Sequence, residues 1–332
     1  MKKIGISILL CLFGLHIQAQ KVLEGFVFDA NDSTAIVSAS VYFDGTTIGV
    51  ATNSKGFFSI KAPEQFSPSL IVSSLGYEVK AISDVSKISM ENPIFLKENP
   101  EKLETVVLEA DPWRRSKKLA EFKREFLGTT RAASSTEIEN EDILKLRYSP
   151  SKNTLTASAS EPLKVINRYL GYIITYNLVS FKVTYETDNS GIISPYKIYY
   201  EGYGFFEESK KKIQNRFKRR RLQSYEGSIF HFMKALRKQN LAAEGFKVFY
   251  RNSEVKPYGV FDLNRNDNIV KVNVLANKLN IIYEETKQSV LKAEGKFSID
   301  PVGNYTPQQN ILLKGSMGAK RIADLLPPDF NK

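Results

Sequence analysis

Histidine and cysteine, the residues that most often bind metals or attack substrates, are scarce in this chain. Its 332 residues include two histidines, His16 and His231, and one cysteine, Cys11. A catalytic zinc site generally uses two or three imidazoles, and a disulfide needs two cysteines. The composition therefore argues against zinc and thiol chemistry, and we expect no catalytic residue, no metal site and no cofactor.

His231 alone could still serve as the base of a Ser-His-Asp triad. It lies in the segment GSIFHFMKAL, and the chain contains no G-x-S-x-G motif. Apolar residues recur at helical spacing around it: Ile229, Phe232, Met233 and Leu236. This pattern favours a histidine in the core or at the boundary of a helix over a general base.

Paired carboxylates are the remaining catalytic chemistry, because two acidic side chains can hydrolyse a glycosidic bond without histidine or metal. The candidates are Glu139, Glu141, Asp142, Glu207 and Glu208. Acidic residues beside strands and turns generally form solvated faces. A carboxylate-based carbohydrate-active or other hydrolytic accessory enzyme is thus the alternative function, and a non-enzymatic protein is the leading one.

The densest cluster of charge is basic and lies in ESKKKIQNRFKRRRLQSYEGS. Its cations could contact an anionic partner: Lys210, Lys211, Lys212, Arg216, Lys218, Arg219, Arg220 and Arg221. Guanidinium groups bind phosphate and carboxylate bidentately. The run could equally form a solvated loop before a helix at Ser228, or supply arginines for internal pairs with Glu207, Glu208 or Glu226. The sequence leaves these three roles open.

Residues 1–19 have the pattern of a secretory signal peptide. Lys2 and Lys3 precede an apolar stretch from Ile4 to Leu15, and Ala19 stands before the expected cleavage site. This stretch is shorter than the ~20 apolar residues of a membrane-spanning helix. We expect export, no transmembrane span after cleavage, and a periplasmic or outer-membrane-associated protein; lipidation at Cys11 is a minor alternative. Export argues against nucleic acid as a partner of the basic run and favours an envelope protein, an acidic glycan or a lipid headgroup.

Residues 20–98 have the pattern of short strands joined by tight turns. Phe58 and Ile60 alternate with Ser59 and Lys61, as expected for a strand with one face in a core. Gly45, Gly49 and Gly56 fall where turns are expected, and positive φ is their simplest explanation. The pattern predicts a small β-sandwich.

These residues also resemble a known family. The segments GFVFDANDSTAIVSASVYFDGTTIGVATNSKGFFSIKAP and LIVSSLGYE resemble the carboxypeptidase regulatory-like domain, a transthyretin-like sandwich also found in front of TonB-dependent receptors. The resemblance implies a seven-stranded sandwich that acts in folding or interaction and has no catalytic residues. A zinc carboxypeptidase is therefore not expected, despite the domain name.

Residues 99–130 are expected to form a connector and a linking helix. The segment NPEKLETVVLEA is similar to the connector that follows this domain in the receptors. In the next segment Asp111 is expected to cap a helix, Pro112 to occupy its first position, and Gly128 to end it.

Residues 131–332 are expected to form one β-rich α+β domain, so that the whole chain is mainly β with some α. The alternation in LGYIITYNL and SFKVTYE predicts two paired strands around a turn at Leu178-Val179-Ser180. The segment GSIFHFMKALRKQNL predicts a helix.

Four segments of this region resemble a family of exported bacterial proteins with the same N-terminal domain: FKREFLG, EPLKVINRYLGYIITYNL, YEGSIFHFMKAL and RIADLLPPDF. That resemblance implies an architecture and an envelope location, and it supplies no catalytic residues. We therefore expect a non-enzymatic cell-envelope binding or interaction protein. The sequence does not specify its oligomeric state.

Overall fold

The computed structural model describes residues 21–63, 68–99, 109–266, 268–328 and 330. The expected signal peptide and most of the expected connector lie outside these residues. The described residues are mainly β and form three hydrophobic cores along the chain. None of their helices is long and apolar enough to cross a membrane.

The first core lies between the two sheets of an N-terminal sandwich, as the sequence predicts. Its strands are β1 (Val22–Asp29), β2 (Ser40–Phe43), β3 (Gly49–Ala51), β4 (Phe57–Lys61), β5 (Leu70–Ser73), β6 (Lys80–Ile82) and β7 (Ile94–Leu96). One sheet has the order β4-β1-β7 and the other β3-β2-β5-β6. Phe58 and Ile60 of β4 point into the core while Ser59 and Lys61 are exposed, so the predicted alternation is confirmed.

The second core is covered by a large antiparallel sheet and one helix. Its elements are α1 (Arg115–Leu127), β8 (Thr136–Ile138), β9 (Leu144–Ser149), β10 (Thr154–Ala159), β11 (Leu163–Asn167), β12 (Tyr172–Thr187) and β13 (Ile193–Glu208). The strand order is β8-β11-β12-β10-β9, and β13 pairs with β12. Phe122 and Phe126 of α1 are fully buried in this core. The helix predicted to link two domains is thus an integral part of the second core.

The predicted start of α1 is wrong. The helix begins at Arg115, and no side chain caps it. Asp111 instead accepts hydrogen bonds from the Trp113 and Tyr148 main-chain N–H groups and from Lys118 Nζ. Its carboxylate thus joins strand β9 to the Lys118 side chain of α1, but it caps no main-chain N–H group of the helix.

The predicted turn at Leu178-Val179-Ser180 is also wrong. These residues lie inside β12, a 16-residue strand that pairs along its length with β13. The register shifts between Leu178 and Ser180, which marks a β-bulge. Before the bulge the buried side chains of β12 are mainly at even-numbered positions, and after it they are at odd-numbered positions. This change of face gives one long strand the sequence pattern of two short strands joined by a turn.

The third core lies in the remaining C-terminal residues and surrounds a predicted helix. Its helices are α3 (Ile229–Lys238) and α4 (Ser316–Ala319), and a further helix, α2 (Asn215–Tyr225), precedes α3. Its strands are β14 (Phe246–Tyr250), β15 (Ser253–Val255), β16 (Phe261–Asn266), β17 (Ile269–Val274), β18 (Leu279–Tyr283), β19 (Lys287–Ala293), β20 (Phe297–Ile299), β21 (Tyr305–Thr306) and β22 (Ile311–Gly315). The sheets have the orders β15-β14-β18-β19-β22 and β16-β17-β20-β21. Phe232, Met233 and Leu236 of α3 are fully buried between them, which confirms the predicted apolar stripe.

The end of the chain returns to the second core. Ile322 and Ala323 of the segment RIADLLPPDF are buried in that core. Residues 131–332 are predicted to form one domain, but they contain residues of two hydrophobic cores, the second and the third. The C-terminal segment packs against the second core.

Candidate anion-binding cleft

The structure divides the predicted cationic residues into two groups. Six of them are exposed and form no ion pair with a described acidic residue; we call these six the basic strip: Lys210, Lys211, Lys212, Arg216, Lys218 and Arg219. The first three lie between β13 and α2, and the others lie on α2. The expected solvated loop is thus partly a helix, and its cations remain available to a partner.

Arg221 is not available to a partner, so its prediction as a contact residue is wrong. It is 2% exposed, and its Nη1 and Nη2 donate to the two carboxylate oxygens of Glu208 at 2.8 and 2.7 Å. Its Nε donates to the Leu170 carbonyl at 2.9 Å. The guanidinium carbon lies 3.8 Å from the ring centre of Tyr172. Of the alternatives that the sequence left open, internal pairing applies to this arginine.

Arg220 is more buried than the basic strip and less buried than Arg221. Its guanidinium carbon lies 4.6 Å from the ring centre of Tyr169, and its Nη1 donates to the Tyr169 carbonyl at 3.3 Å. The residue is half-buried. This stacking holds Arg220 against the second core.

Helix α2 lies close against the loop between β11 and β12. Gly171 in that loop has φ +76°, and a Cβ added to it would lie 2.6 Å from Phe217 Cδ2. No side chain fits between the loop and the helix, and the positive φ also favours glycine. Gly171 therefore allows α2 to approach the carbonyls that bind Arg221.

The C-terminal segment holds the other end of α2. Lys320 Nζ donates to the carbonyls of Gln223, Ser224 and Glu226 at 3.2, 2.7 and 2.8 Å. An ammonium group at a helix C-terminus pairs with carbonyls that have no partner within the helix. Ser224 Oγ donates to Asp324 Oδ1 at 2.8 Å. These contacts explain how a residue far along the chain positions the basic helix.

A cleft of about 780 Å³ lies where α2, the ends of β12 and β13, the C-terminal segment and the sandwich meet. Lys218 and Arg219 of the basic strip line it together with the Arg221–Glu208 pair. Its apolar lining comes from Ile213, Leu222, Pro327 and Phe330. Because Glu208 is already paired with Arg221, the charges of Lys218 and Arg219 are left without a described counter-ion in the cleft.

The sandwich reaches the cleft through its β2–β3 hairpin, which contributes Thr47. The hairpin is joined to β13 by main-chain hydrogen bonds from Gly45 N to Gly204 O at 2.6 Å and from Phe206 N to Thr46 O at 3.0 Å. The Asp44 carboxylate accepts from Gly204 N at 2.9 Å. Burial raises the pKa of Asp44 to about 6, although the main-chain N–H groups of Gly204 and Gly45 oppose the shift.

Gly49 has a different role from the one predicted. It lies in strand β3 and has no positive φ; a Cβ on it would lie 2.5 Å from Phe205 Cε2. Gly45 and Gly56 do adopt positive φ, at 73° each. Gly49 is therefore glycine because the sandwich packs there against β13, not because the backbone turns.

His231 is part of the third core. It is 2% exposed, and its Nδ1 accepts a hydrogen bond from Gly227 N at 3.2 Å. That contact leaves the proton on Nε2, which lies 3.0 Å from Glu244 Oε2. The Ser228 hydroxyl accepts from the His231 main chain and caps α3. The burial of His231 confirms the prediction of a core or boundary histidine.

The candidate acidic residues are mostly held by basic ones. Glu208 pairs with Arg221, Glu139 with Lys164 at 2.6 Å, and Glu141 with Lys123. Among the described residues no group of His, Cys, Asp and Glu side chains could hold a metal ion.

Sequence reasoning missed the apolar lining of the cleft. Ile213 lies between the lysines and arginines of the basic run, and Phe330 lies in the C-terminal segment. Ile213 was visible as an apolar residue in a charged segment, which is a weak signal. Nothing local indicated that the C-terminal segment would meet α2.

The comparison with protein families agrees with the observed sandwich. Residues 23–108 match the family model of the CarboxypepD_reg-like domain. No curated protein matches the chain. The seven strands of the two described sheets fall within residues 23–108 except for the first residue of β1. The N-terminal part of this chain is therefore a carboxypeptidase regulatory-like domain with a β-sandwich fold.

Proposed function

We propose that this protein is a non-catalytic binding protein of the cell envelope that holds an anionic component through the basic strip. The observation that carries the proposal is that six neighbouring cations are exposed and form no ion pair with a described acidic residue. Cations that stabilise a fold are usually paired or stacked, as Arg221 and Arg220 are. Of the six residues of the basic strip, Arg216 has a described stacking contact, with its guanidinium carbon 4.9 Å from the ring centre of Phe217. The other five have no described contact of this kind, and the charge of the strip attracts anions.

The location and the non-catalytic role have separate support. The N-terminal sequence is typical of a signal peptide, and the regulatory-like domain is common in exported proteins. The regulatory-like domain is not catalytic. Acidic glycans, lipid headgroups and acidic envelope proteins are the anions that such a protein meets.

The test measures binding of the protein without residues 1–19 to defined anions. The probes are vesicles with and without phosphatidylglycerol, and an immobilised acidic polysaccharide with its neutral counterpart. In the strip variant, all six residues of the basic strip are replaced by Gln, while Arg220 and Arg221 are kept. The control variant replaces six exposed lysines elsewhere by Gln: Lys55, Lys61, Lys152, Lys182, Lys271 and Lys292.

We expect wild type and control to bind at least one anionic probe, and the strip variant to bind it more than tenfold more weakly. Each Lys or Arg near an anionic membrane surface contributes about 1 kcal/mol to binding, so the loss of six such residues is ample for this change. Binding should weaken as salt rises, because salt screens exposed charges. Equal losses in the strip and control variants would overturn the proposal, since net charge rather than the basic strip would then decide binding.

A further inference from the structure

We infer that the cleft beside the basic strip holds a single amphipathic anion, an acyl chain with a phosphate or carboxylate headgroup. This inference rests on the proposed function and narrows its ligand from anionic surfaces in general to one lipid-type molecule. It follows from the lining, the charge and the size of the cleft, taken in turn.

The lining offers apolar surface next to the cations. Ile213 is 38% exposed although it is a large hydrophobic residue, and Leu222 and Phe330 are half-buried. All three face the cleft. A polysaccharide has only the C–H faces of its sugar rings to cover these side chains, whereas an acyl chain is apolar along its whole length and would remove them from water.

The charge of the cleft is concentrated at one wall. Lys218 and Arg219 follow each other on α2, and both are exposed. Glu208 does not repel an anion there, because Arg221 holds both of its oxygens. The arginine fork and the lysine ammonium are suited to one phosphate or carboxylate group.

The volume of the cleft and the three parts of the fold that form its walls favour a small-molecule ligand over contact with a flat surface. Its volume of about 780 Å³ lies within the range of roughly 300–1,000 Å³ that is typical of small-molecule sites. Its walls come from the sandwich hairpin, α2 and the C-terminal segment, which meet only in the folded protein. Such sites combine apolar walls with a few polar groups that orient the ligand.

The experiment is calorimetric titration of the protein without residues 1–19, with three probes below their micellar concentrations. Dodecyl phosphate has the headgroup and the chain, inorganic phosphate has only the headgroup, and dodecyl maltoside has the chain with a neutral headgroup. We expect dodecyl phosphate to bind once per protein and at least tenfold more tightly than either of the other probes.

Two variants test the two halves of the site. Lys218→Gln with Arg219→Gln removes the cations, and Ile213→Ser removes an exposed apolar contact. The control for the first variant is Lys271→Gln with Lys292→Gln. The control for the second is Leu275→Ser, because Leu275 is 62% exposed and lies outside the cleft. We expect each test variant to bind dodecyl phosphate about tenfold more weakly, and both controls to bind as wild type. All substituted residues are exposed, so melting temperatures should stay unchanged.

The outcomes separate this inference from the proposed function. Equal affinity for inorganic and dodecyl phosphate would overturn the inference and leave an anion site without a chain. Binding to anionic vesicles or to the polysaccharide, without binding of dodecyl phosphate, would overturn it in favour of a surface contact and keep the proposed function. Failure of every anionic probe to bind would overturn both.

Discussion

Arg221 and Glu208 form a bidentate ion pair in the wall of the cleft, with N–O distances of 2.8 and 2.7 Å. Arg221 is almost completely buried, whereas the Glu208 side chain is 31% exposed. The pair joins the basic helix α2 to the end of β13 and cancels the one described carboxylate that lines the cleft. The same run of basic residues thus contains an arginine that stabilises the fold and cations that are free to meet an anion.

Replacing Arg221 by Met should destabilise the protein and leave Glu208 unpaired in the wall of the cleft. The substitution removes a buried cation, its hydrogen bond to Leu170 O and the partner of Glu208. Breaking a buried pair costs ~3–5 kcal/mol, and the exposure of Glu208 favours the lower end of this range. Urea unfolding measures the change, with Arg219→Gln as the control that should stay within about 0.5 kcal/mol of wild type. Equal stability of the two variants would contradict the assignment.

The stability of the protein should depend on pH through Asp44. Burial raises the pKa of this carboxyl to about 6. The folded protein then binds the proton more tightly than the unfolded chain, so the contribution of Asp44 to stability grows as pH falls through about 6, and it is complete near pH 4. Comparison with Asp44→Asn isolates this group from other titrating residues. The difference in melting temperature, wild type minus Asp44→Asn, should increase as the pH is lowered from 8 to 5. A difference that does not change with pH would refute the effect.

Tyr42→Phe should weaken the contact between the sandwich and the second sheet. Asn177 is buried; its Nδ2 donates to Tyr42 Oη at 2.7 Å, and Ser73 Oγ donates to its Oδ1 at 3.2 Å. Loss of the hydroxyl leaves a buried donor unsatisfied, which costs about 1–3 kcal/mol. The control is Tyr203→Phe, since Tyr203 is half-buried nearby and its hydroxyl has no described hydrogen-bond partner.

The Tyr42 prediction can be checked further with a double variant. Adding Asn177→Leu to Tyr42→Phe removes the unsatisfied amide donor but leaves the Ser73 hydroxyl without its acceptor. The double variant should therefore lose less free energy of unfolding than the sum of the losses in the two single variants. Additive losses from the two substitutions would show that the two side chains do not act as a pair.

Lys320→Met should loosen α2 at its C-terminal end. The ammonium group donates to three carbonyls there, and burial lowers its pKa to about 8. Loss of these hydrogen bonds should cost about 1–3 kcal/mol at neutral pH. Hydrogen exchange of the α2 amides should rise more than that of the β1 amides, whereas Lys314→Met, at an exposed position, should change neither. Unchanged exchange in α2 would contradict the role given to Lys320.

Local sequence predicted the elements whose side chains face a single core. Strand β4 and helix α3 fit this description, because period-2 and period-3.6 patterns arise directly from the backbone geometry of a strand and a helix. The same reasoning failed at β12, since its bulge changes the buried face partway along the strand. It also failed at Asp111, where a contact with strand β9 replaces the helix cap.

The sequence by itself determined the sandwich and the buried helix around His231. It also showed that the densest cluster of charged residues in the chain is basic. Only the tertiary structure decided which of those residues is internal, since the partners of Arg221 are the carbonyl of Leu170 and the carboxylate of Glu208. The cleft likewise depends on the return of the C-terminal segment to the second core. The physical reason is that burial of a charge depends on partners distant along the chain, whereas hydrophobic periodicity is a property of one local segment.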